Sequence, residues 1–303
     1  MTISISRDQH IWEFSADMKP VVSVEPGTVL EIETWDCFTG QVQTESDTLE
    51  KLDIHRVNSA TGPIEVIGAE PGDSLSVTLM DIRPNSQGAA MCIPEWGQLI
   101  HKAKSPFTKI FRVEDGIVHM NEHVSWPQRP MFGVIGVAPE SGTIGTFEAA
   151  RHGGNLDDNE NRIGATIHLP VFQPGGLLAI GDMHASMGDG EISGTGVEIG
   201  GTATIKVGLI KGKSGGWPIT EAADYWITHG TSKDSIDEAL QNACEEAARL
   251  LVDEWGFTME DAFVFLSVTS DLGIAQYCHP SPGSVIAKMK VPKLKATPAP
   301  FRI

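Results

Sequence analysis

Short segments in which apolar and polar residues alternate recur through the first two thirds of the chain. In three places, 26–36, 71–81 and 174–182, a Pro-Gly pair is followed by apolar residues two positions apart and then by an aspartate. Pro-Gly suits the centre of a tight turn, and a period of two is that of a strand with one buried face. No long period accompanies the pattern, which favours a common turn-and-strand arrangement over an internal repeat. It predicts three strands, with Asp36 and Asp182 at or just beyond strand ends, where functional side chains are often presented.

A helical period replaces this alternation nearer the C-terminal end. Apolar residues recur at helical spacing between positions 236 and 255, Ser235 and Glu238 form a capping box, and Gly256 supplies a stop. Thr258 begins a second, shorter helix. The run 288–303, with its spaced lysines and prolines, predicts an extended tail that lies on a neighbouring subunit.

Turn residues are spread along the whole chain, with 32 glycines and 18 prolines, and no linker divides it. We therefore predict a mainly β fold, a β-rich α+β arrangement in which sandwich-like sheets of short strands precede a C-terminal helical segment. The predicted organisation is a single domain, 1–303. Its β-rich part is 1–220, its α+β part is 221–287, and its extended tail is 288–303.

Composition narrows the class of partner. The chain has 303 residues, of which 41% are hydrophobic, and a formal charge of -18, so it can bury a large core while its surface repels phosphates and anionic lipids. We expect a small-molecule substrate, no nucleic acid and no membrane. No secretory signal or membrane-spanning apolar run is visible. The four cysteines fit neither a metal clip nor a disulfide framework, which predicts reduced thiols in the cytoplasm.

The densest polar stretch is 181–191, followed by Glu198. Asp182 and His184 lie two apart, which on a strand end points both side chains to the same side. Glycines in this stretch allow the backbone to bring Glu191 and Glu198 close. The pattern predicts a zinc site with an open coordination position. The alternative is that Asp189-Gly190 is only a hairpin turn and His184 a hydrogen-bonded core histidine.

Two other stretches carry candidate groups. Asp53 and His55 repeat the two-apart pairing, and Asn58, three residues later, is either a turn former or an amide-recognising group. Gly153-Gly154 allow close approach of the backbone to a ligand, and Asn155 or Asp157 could orient an amide. A glycine- and Asx-rich loop without a ligand fits this second stretch equally well.

Other chemistries find less support in the sequence. Cys37 and Cys278 lack the glutamate, lysine or histidine context of a thiol amidase, so buried thiols are favoured over nucleophiles. Ser214-Gly215-Gly216 lacks the rest of a serine amidase pattern. No glycine-rich phosphate-binding turn is present, so a nucleotide cofactor is not indicated.

Taken in order, the motifs resemble the acetamidase/formamidase family over roughly Thr34 to Gln276. The matching stretches are 53–63 (Asp-x-His-Arg-x-Asn-x-x-Thr-Gly-Pro), 68–73 (Gly-Ala-Glu-Pro-Gly-Asp), 153–157 (Gly-Gly-Asn-x-Asp) and 169–191, which contains Gly-Asp-x-His-Ala and Gly-Asp-Gly-Glu. Several motifs in one order are far more specific than any one of them.

The resemblance implies a β-rich fold with appended helices, hydrolysis of formamide, acetamide or a related short amide, and a homodimer or larger homo-oligomer. It also implies a divalent metal near the aspartate-histidine motif, for which zinc is favoured and Ca²⁺ is a second or alternative ion. The residues it indicates as metal ligands are Asp36, His55, Asp182 and His184. Glu191 and Glu198 follow as ligand or general base, and we expect Asn58, Gly153, Gly154 and Asn155 at the substrate.

These residues suggest a hydrolytic mechanism, which must be weighed against a non-catalytic function. A divalent ion lowers the pKa of its water to about 7 and polarises the amide carbonyl, while Glu191 carries the proton to the leaving nitrogen and Gly153-Gly154 N–H groups stabilise the oxyanion. The competing hypothesis is a non-catalytic β-rich module, metal- or carbohydrate-binding, with a structural Ca²⁺. Ca²⁺ sites rarely use histidine, so His55 and His184 favour the enzyme.

Overall fold

The computed structural model describes residues 2–294, and most of its regular structure is β-strand, which confirms the predicted mainly β fold. The strands in chain order are β1 (Ile3–Ile5), β2 (His10–Ile11), β3 (Glu13–Ser15), β4 (Val22–Val24), β5 (Val29–Thr34), β6 (Ala60–Val66), β7 (Ser74–Pro84), β8 (Gln87–Cys92), β9 (Phe107–Glu114), β10 (Ile117–His119), β11 (Ser125–Pro127), β12 (Met131–Gly136), β13 (Thr143–Gly145), β14 (Ala149–Ala150), β15 (Gly153–Asn155), β16 (Thr166–Pro170), β17 (Leu178–His184), β18 (Gly201–Ile210), β19 (Ile219–Glu221), β20 (Tyr225–Ser232), β21 (Asp271–Gln276) and β22 (Val285–Pro292). The helices are α1 (Ile236–Trp255) and α2 (Met259–Thr269), with 3-10 turns at Leu49–Lys51 and Ile54–Arg56.

Two large sheets dominate the architecture. The first has nine strands in the order β1-β5-β18-β7-β16-β19-β20-β22-β21, and the second has seven in the order β14-β15-β12-β17-β6-β2, with β4 also paired to β6. A four-stranded sheet, β11-β10-β9-β8, and the pair β13-β3 complete the strands. Most pairings are antiparallel, while β1 with β5 and β4 with β6 are parallel.

The main hydrophobic core contains inward-facing residues of both large sheets. Leu75 and Val77 of β7 and Ile205 of β18 belong to the same buried cluster as Ile64 of β6 and Ile180 of β17. Burying each such side chain stabilises the fold by about 1.5–3 kcal/mol relative to leaving it exposed. The alternation that marked these strands in the sequence therefore forms a sandwich-like core, and it fixes β17, which carries Asp182, at its centre.

The C-terminal helices form a second core against β20 and β22. Ser235 accepts a hydrogen bond from the N–H of Glu238 at 3.2 Å, and Gly256 ends α1 with φ of 68°. The predicted capping box is only half formed, because the Glu238 carboxylate is bonded by Ser232 Oγ instead. Thr258 caps α2 as the sequence predicts. None of the helices within residues 2–294 has the length and apolar character needed to cross a membrane.

The predicted tail at 288–303 is wrong for its first part. Residues 285–292 form β22, which lies between β20 and β21 in the nine-stranded sheet. The lysines that suggested solvent exposure are neutralised by carboxylates: Lys288 contacts Asp158 at 2.8 Å, and Lys290 contacts Glu160 at 2.7 Å. Residues 295–303 of the predicted tail lie outside the described part of the chain.

Candidate functional site

Asp182 and His184 lie at the end of β17, where the strand runs beside β12. The ladder pairs Met131 with His184 and Val134 with Gly181, and Asp182 itself adopts a left-handed conformation with φ of 55°. The two side chains converge as their spacing predicted, with Asp182 Oδ1 3.5 Å from His184 Nε2. Both are buried.

Two glutamates complete the surroundings of the histidine. His184 Nε2 lies 3.0 Å from Glu198 Oε2 and 3.9 Å from Glu191 Oε1. Four buried atoms here lack a hydrogen bond of good geometry: both nitrogens of His184, Glu198 Oε2 and Asp182 Oδ1. Polar atoms that are buried, close together and unbonded require a missing partner.

The donor atoms form two adjacent groups of three. Cys37, Asp182 and Glu198 offer ligand atoms within 4.8 Å of one another, and so do Asp157, His184 and Glu191. Thiolate, imidazole and carboxylate are the ligand types of a zinc site.

The cluster is dominated by negative groups held out of water. Burial and the Asp182 carboxylate raise the pKa of Asp157 to about 7. Burial raises the pKa of Glu198 to about 8, even though His184 opposes the shift. Although burial favours the neutral imidazole, the carboxylates of Glu198 and Asp182 raise the pKa of His184 well above its usual value. The cluster is therefore deficient in positive charge, which a cation would supply.

A chain of amide side chains connects the cluster to the neighbouring loops. Asn58 donates to the carbonyl of Thr146 at 3.0 Å and to Asn155 Oδ1 at 3.1 Å, and Asn155 donates to Asp157 Oδ2 at 2.5 Å. Gln276 then joins Asp157 to the other side of the site. Its Nε2 donates to Asp157 Oδ2 at 2.5 Å and to Glu191 Oε2 at 3.1 Å.

A small cavity of about 30 Å³ opens beside these residues. Trp96, Phe147 and Cys278 line it together with Asn58, Asp157, Asp182, Glu191, Glu198 and Gln276. Since one water needs roughly 10–15 Å³, the space suits only a few heavy atoms. Asn58 Oδ1 is buried and has no hydrogen bond, so it is available to a donor in this cavity.

The structure brings together most of the predicted site residues, namely Asn58, Asn155, Asp182, His184, Glu191 and Glu198. It does not include His55, which is exposed in a 3-10 turn capped by Asp53. The two-apart rule fails there because a 3-10 turn is not a strand. Asp36 also stays outside the groups of three, because its carboxylate accepts the N–H groups of Phe38 at 2.8 Å and Gly40 at 3.0 Å.

Gly153 and Gly154 also differ from their predicted role. They belong to β15, which is paired on one side with β12 and on the other with β14, and they do not line the cavity. A Cβ at Gly153 would lie 2.3 Å from the Ile135 carbonyl oxygen, and one at Gly154 would lie 2.3 Å from that of Glu148. The glycines are therefore explained by close strand packing and not by contact with an oxyanion.

Three residues of the site did not stand out in the sequence. Cys37 enters through the turn that Asp36 holds, and its carbonyl accepts the N–H of Asn58 at 2.6 Å. Burial and the nearby carboxylates raise the pKa of its thiol well above the usual value, which disfavours a nucleophilic thiolate. Asp157 was interpreted only as a group that could orient an amide. Gln276, far along the chain, carries no local signal.

Comparison with known proteins gives one consistent family. The sequence model of one protein family, described as the acetamidase/formamidase family, matches residues 6–150 and 141–293 of this chain. The crystal structure of a predicted acetamidase/formamidase from Thermoanaerobacter tengcongensis is 38% identical, with a TM-score of 0.92 and 96% of each chain covered. An acetamidase from Mycolicibacterium smegmatis is 24% identical, with 94% of this chain and 92% of that protein covered. A Schizosaccharomyces pombe protein that bears the name of a formamidase is 26% identical to this chain, and the match spans only 61% of that protein's length.

Proposed function

The chain belongs to the acetamidase/formamidase family, and from this premise we propose that it hydrolyses a short linear amide to ammonia and a carboxylate with a divalent metal ion. It is an amidohydrolase that acts on the C–N bond of linear amides. The metal-dependent mechanism rests on one observation. Glu198 Oε2 and Asp182 Oδ1 lie 3.0 Å and 3.5 Å from His184 Nε2, and all three atoms are buried without a hydrogen bond.

The residues present fit a divalent ion. Cys37, Asp157, Asp182, His184 and Glu198 would hold it, and a cation among them would favour the ionised forms of Asp157 and Glu198, whose pKa values are raised to about 7 and about 8. We propose Zn²⁺ in preference to Ca²⁺, because a thiol and an imidazole suit zinc while Ca²⁺ takes oxygen ligands. Bound there, the ion would supply a Lewis acid and a water of lowered pKa.

The side chains around the cavity would position the amide and move its proton. Asn58 Oδ1 is free to accept an N–H of the substrate, and the fixed donation of Asn58 Nδ2 to Thr146 and Asn155 sets its orientation. Glu191, held by Gln276, lies beside the same cavity and would transfer a proton to the leaving nitrogen. Trp96 and Phe147, which line the cavity, would limit the length of the acyl group.

The direct test is ammonia release from formamide, acetamide and propionamide, with metal content measured on the same preparation. We expect turnover of the shortest amides, its loss on chelation, and its return when Zn²⁺ is restored. Asp182→Asn should lose both metal and turnover. Asp81→Asn is the matched control, because Asp81 lies in β7, another strand after a Pro-Gly pair, but is half-exposed and paired with Arg83. Full turnover by metal-free protein, or no ammonia from any amide, would contradict the proposal.

We further propose that the protein functions as a homodimer in the cytoplasm. Phe263, Val264 and Val268 of α2 are 74%, 62% and 73% exposed, and Leu272 continues this apolar face onto β21, the edge strand of the nine-stranded sheet. A contiguous exposed apolar face of this kind is typical of a surface that another protein covers. The four cysteines are free, as a reducing compartment requires.

A further inference from the structure

Lys288 is the only buried lysine within residues 2–294, with 2% of its surface exposed. It lies in β22 and reaches two carboxylates from different parts of the chain. Its Nζ lies 2.8 Å from Asp158 Oδ1 and 2.6 Å from Asp189 Oδ1. Asp158 directly follows Asp157, and Asp189 precedes Glu191 by two residues, so each carboxylate adjoins a member of the proposed site.

We propose that Lys288 is a positioning residue: it joins the 157–158 segment to the 188–191 turn and so aims Asp157 and Glu191 at His184. This inference rests on the proposed function, since those two side chains matter as a ligand and a base. Lys288 is the only side-chain partner that the described residues offer to Asp189. Without this contact, the turn is held by main-chain bonds and by the hydrogen bond from Gln276 to Glu191.

Burial of an ammonium group needs such an explanation. An apolar side chain of similar length would fill this position in the sheet at lower cost, because a lysine must be desolvated before its ion pairs form. Asp158 is also fully buried, and its Oδ2 lies 2.8 Å from His229 Nε2, so this carboxylate has a second partner besides Lys288. A contribution to stability alone therefore does not account for a lysine that also reaches Asp189.

The backbone around the turn supports the same role. The N–H of Gly190 donates to Ala275 and the N–H of Tyr277 donates to Gly190, both at 2.8 Å, so the turn is attached to the end of β21. β21 is paired with β22, which carries Lys288. The β21–β22 pair is therefore the common frame on which both loops are set.

The chain contains a matched control on the same strand. Lys290 contacts Glu160 at 2.7 Å, so it also joins β22 to the loop after Asp157, but it makes no contact with the 188–191 turn. Lys290→Met removes an ion pair of the same type and leaves the contact between Lys288 and Asp189 intact.

Two variants separate positioning from folding. Asp189→Asn weakens only the half of the contact that reaches a half-exposed carboxylate, so the fold should persist. Lys288→Met combined with Asp158→Asn removes the contact of Lys288 with both segments and takes away both charges of the buried Lys288–Asp158 pair, while the new amide oxygen is still placed to accept from His229 Nε2. Each protein, with Lys290→Met beside it, would be measured for thermal unfolding, kcat and KM with formamide, Zn²⁺ affinity, and hydrogen exchange of the 188–191 backbone.

We expect Asp189→Asn and the Lys288→Met, Asp158→Asn double variant to remain folded. Each should lose about ten- to a hundredfold in kcat or Zn²⁺ affinity, and its backbone amides at 188–191 should exchange faster. Lys290→Met should stay within about twofold of the parent in kcat, KM and Zn²⁺ affinity. If these two variants are folded and their hydrogen exchange at 188–191 and their turnover are unchanged, the inference is overturned. If the parent neither binds Zn²⁺ nor releases ammonia, the proposed function fails instead, and the exchange measurement alone decides whether Lys288 positions the turn.

Discussion

The two glutamates beside the cavity have surroundings that suit different tasks. Glu198 Oε1 accepts the N–H of Gly196 at 2.8 Å, which leaves its Oε2, buried without a hydrogen bond, facing His184 Nε2 at 3.0 Å. Glu191 is held at one oxygen by Gln276, and its other oxygen is 3.9 Å from the imidazole. We therefore assign Glu198 to the metal and Glu191 to proton transfer.

This assignment predicts that Glu191→Gln keeps the fold and the metal but lowers turnover by about a hundred- to ten-thousandfold, the usual contribution of a general base. The side chains are nearly isosteric, so the cavity should keep its shape. Metal content and ammonia release, measured on one preparation, check the result.

Glu198→Gln is the comparison for that experiment, because it should lose metal together with turnover. If Glu191→Gln instead empties the site, Glu191 is a ligand. If its turnover is unchanged, the base lies elsewhere and Glu198 is the next candidate.

At the residue scale, the sequence identified groups that are close along the chain. Asp182 and His184 share a strand end, so their spacing alone predicted that they converge. His55 follows Asp53 at the same spacing and was indicated as a ligand by the family resemblance, but the structure places it apart from this cluster, because residues 54–56 form an exposed 3-10 turn. Asp157 and Gln276 meet across 119 positions of sequence, and a hydrogen bond of that separation leaves no local pattern.

At the scale of elements, the site depends on how closely β12 passes β17. Gly133 in β12 lies opposite Asp182, and a Cβ there would be 2.3 Å from both Asp157 Oδ1 and Asp182 Oδ2. Gly133 does not have a positive φ, so steric contact with the two carboxylates is what requires a glycine.

Gly133→Ala should therefore displace the two carboxylates and lower both metal content and turnover, by at least about a hundredfold in turnover, because small displacements of catalytic groups cost that much. Gly145→Ala is the control. Gly145 is also in a strand, without a positive φ, and its Cβ would meet open space. Crystal structures of the two variants would show whether Asp157 and Asp182 move. Normal metal content and turnover in Gly133→Ala would contradict this view of the site.

Elements were predictable where burial follows the local period. The strands after the Pro-Gly pairs and both helices were confirmed because one face of each packs on a core. The last part of β22, 288–292, was predicted as the start of an extended tail because lysines and prolines are spaced along 288–303. The carboxylate partners of Lys288 and Lys290, Asp158 and Glu160, come from a loop more than a hundred positions earlier.

At the scale of the whole molecule, the proposed dimer gives a separate prediction. Phe263→Glu places a charge in the exposed apolar face of α2, so it should convert the dimer to a monomer, as measured by sedimentation velocity. Ile67→Glu adds the same charge at a position that is 43% exposed elsewhere and should leave the dimer intact. A parent that is monomeric, or a Phe263→Glu variant that remains dimeric, would contradict the assignment of this face.

The placement of β22 also affects the order in which the protein can fold during its synthesis. This strand is made after β20 and β21 and yet inserts between them, and it carries the lysine that joins two loops made more than ninety residues earlier. During synthesis, Asp157 and Glu191 leave the ribosome long before Lys288 does. The nascent chain can therefore form much of its sandwich early, while the contacts that join the segments of Asp157 and Glu191 form only after Lys288 has been made.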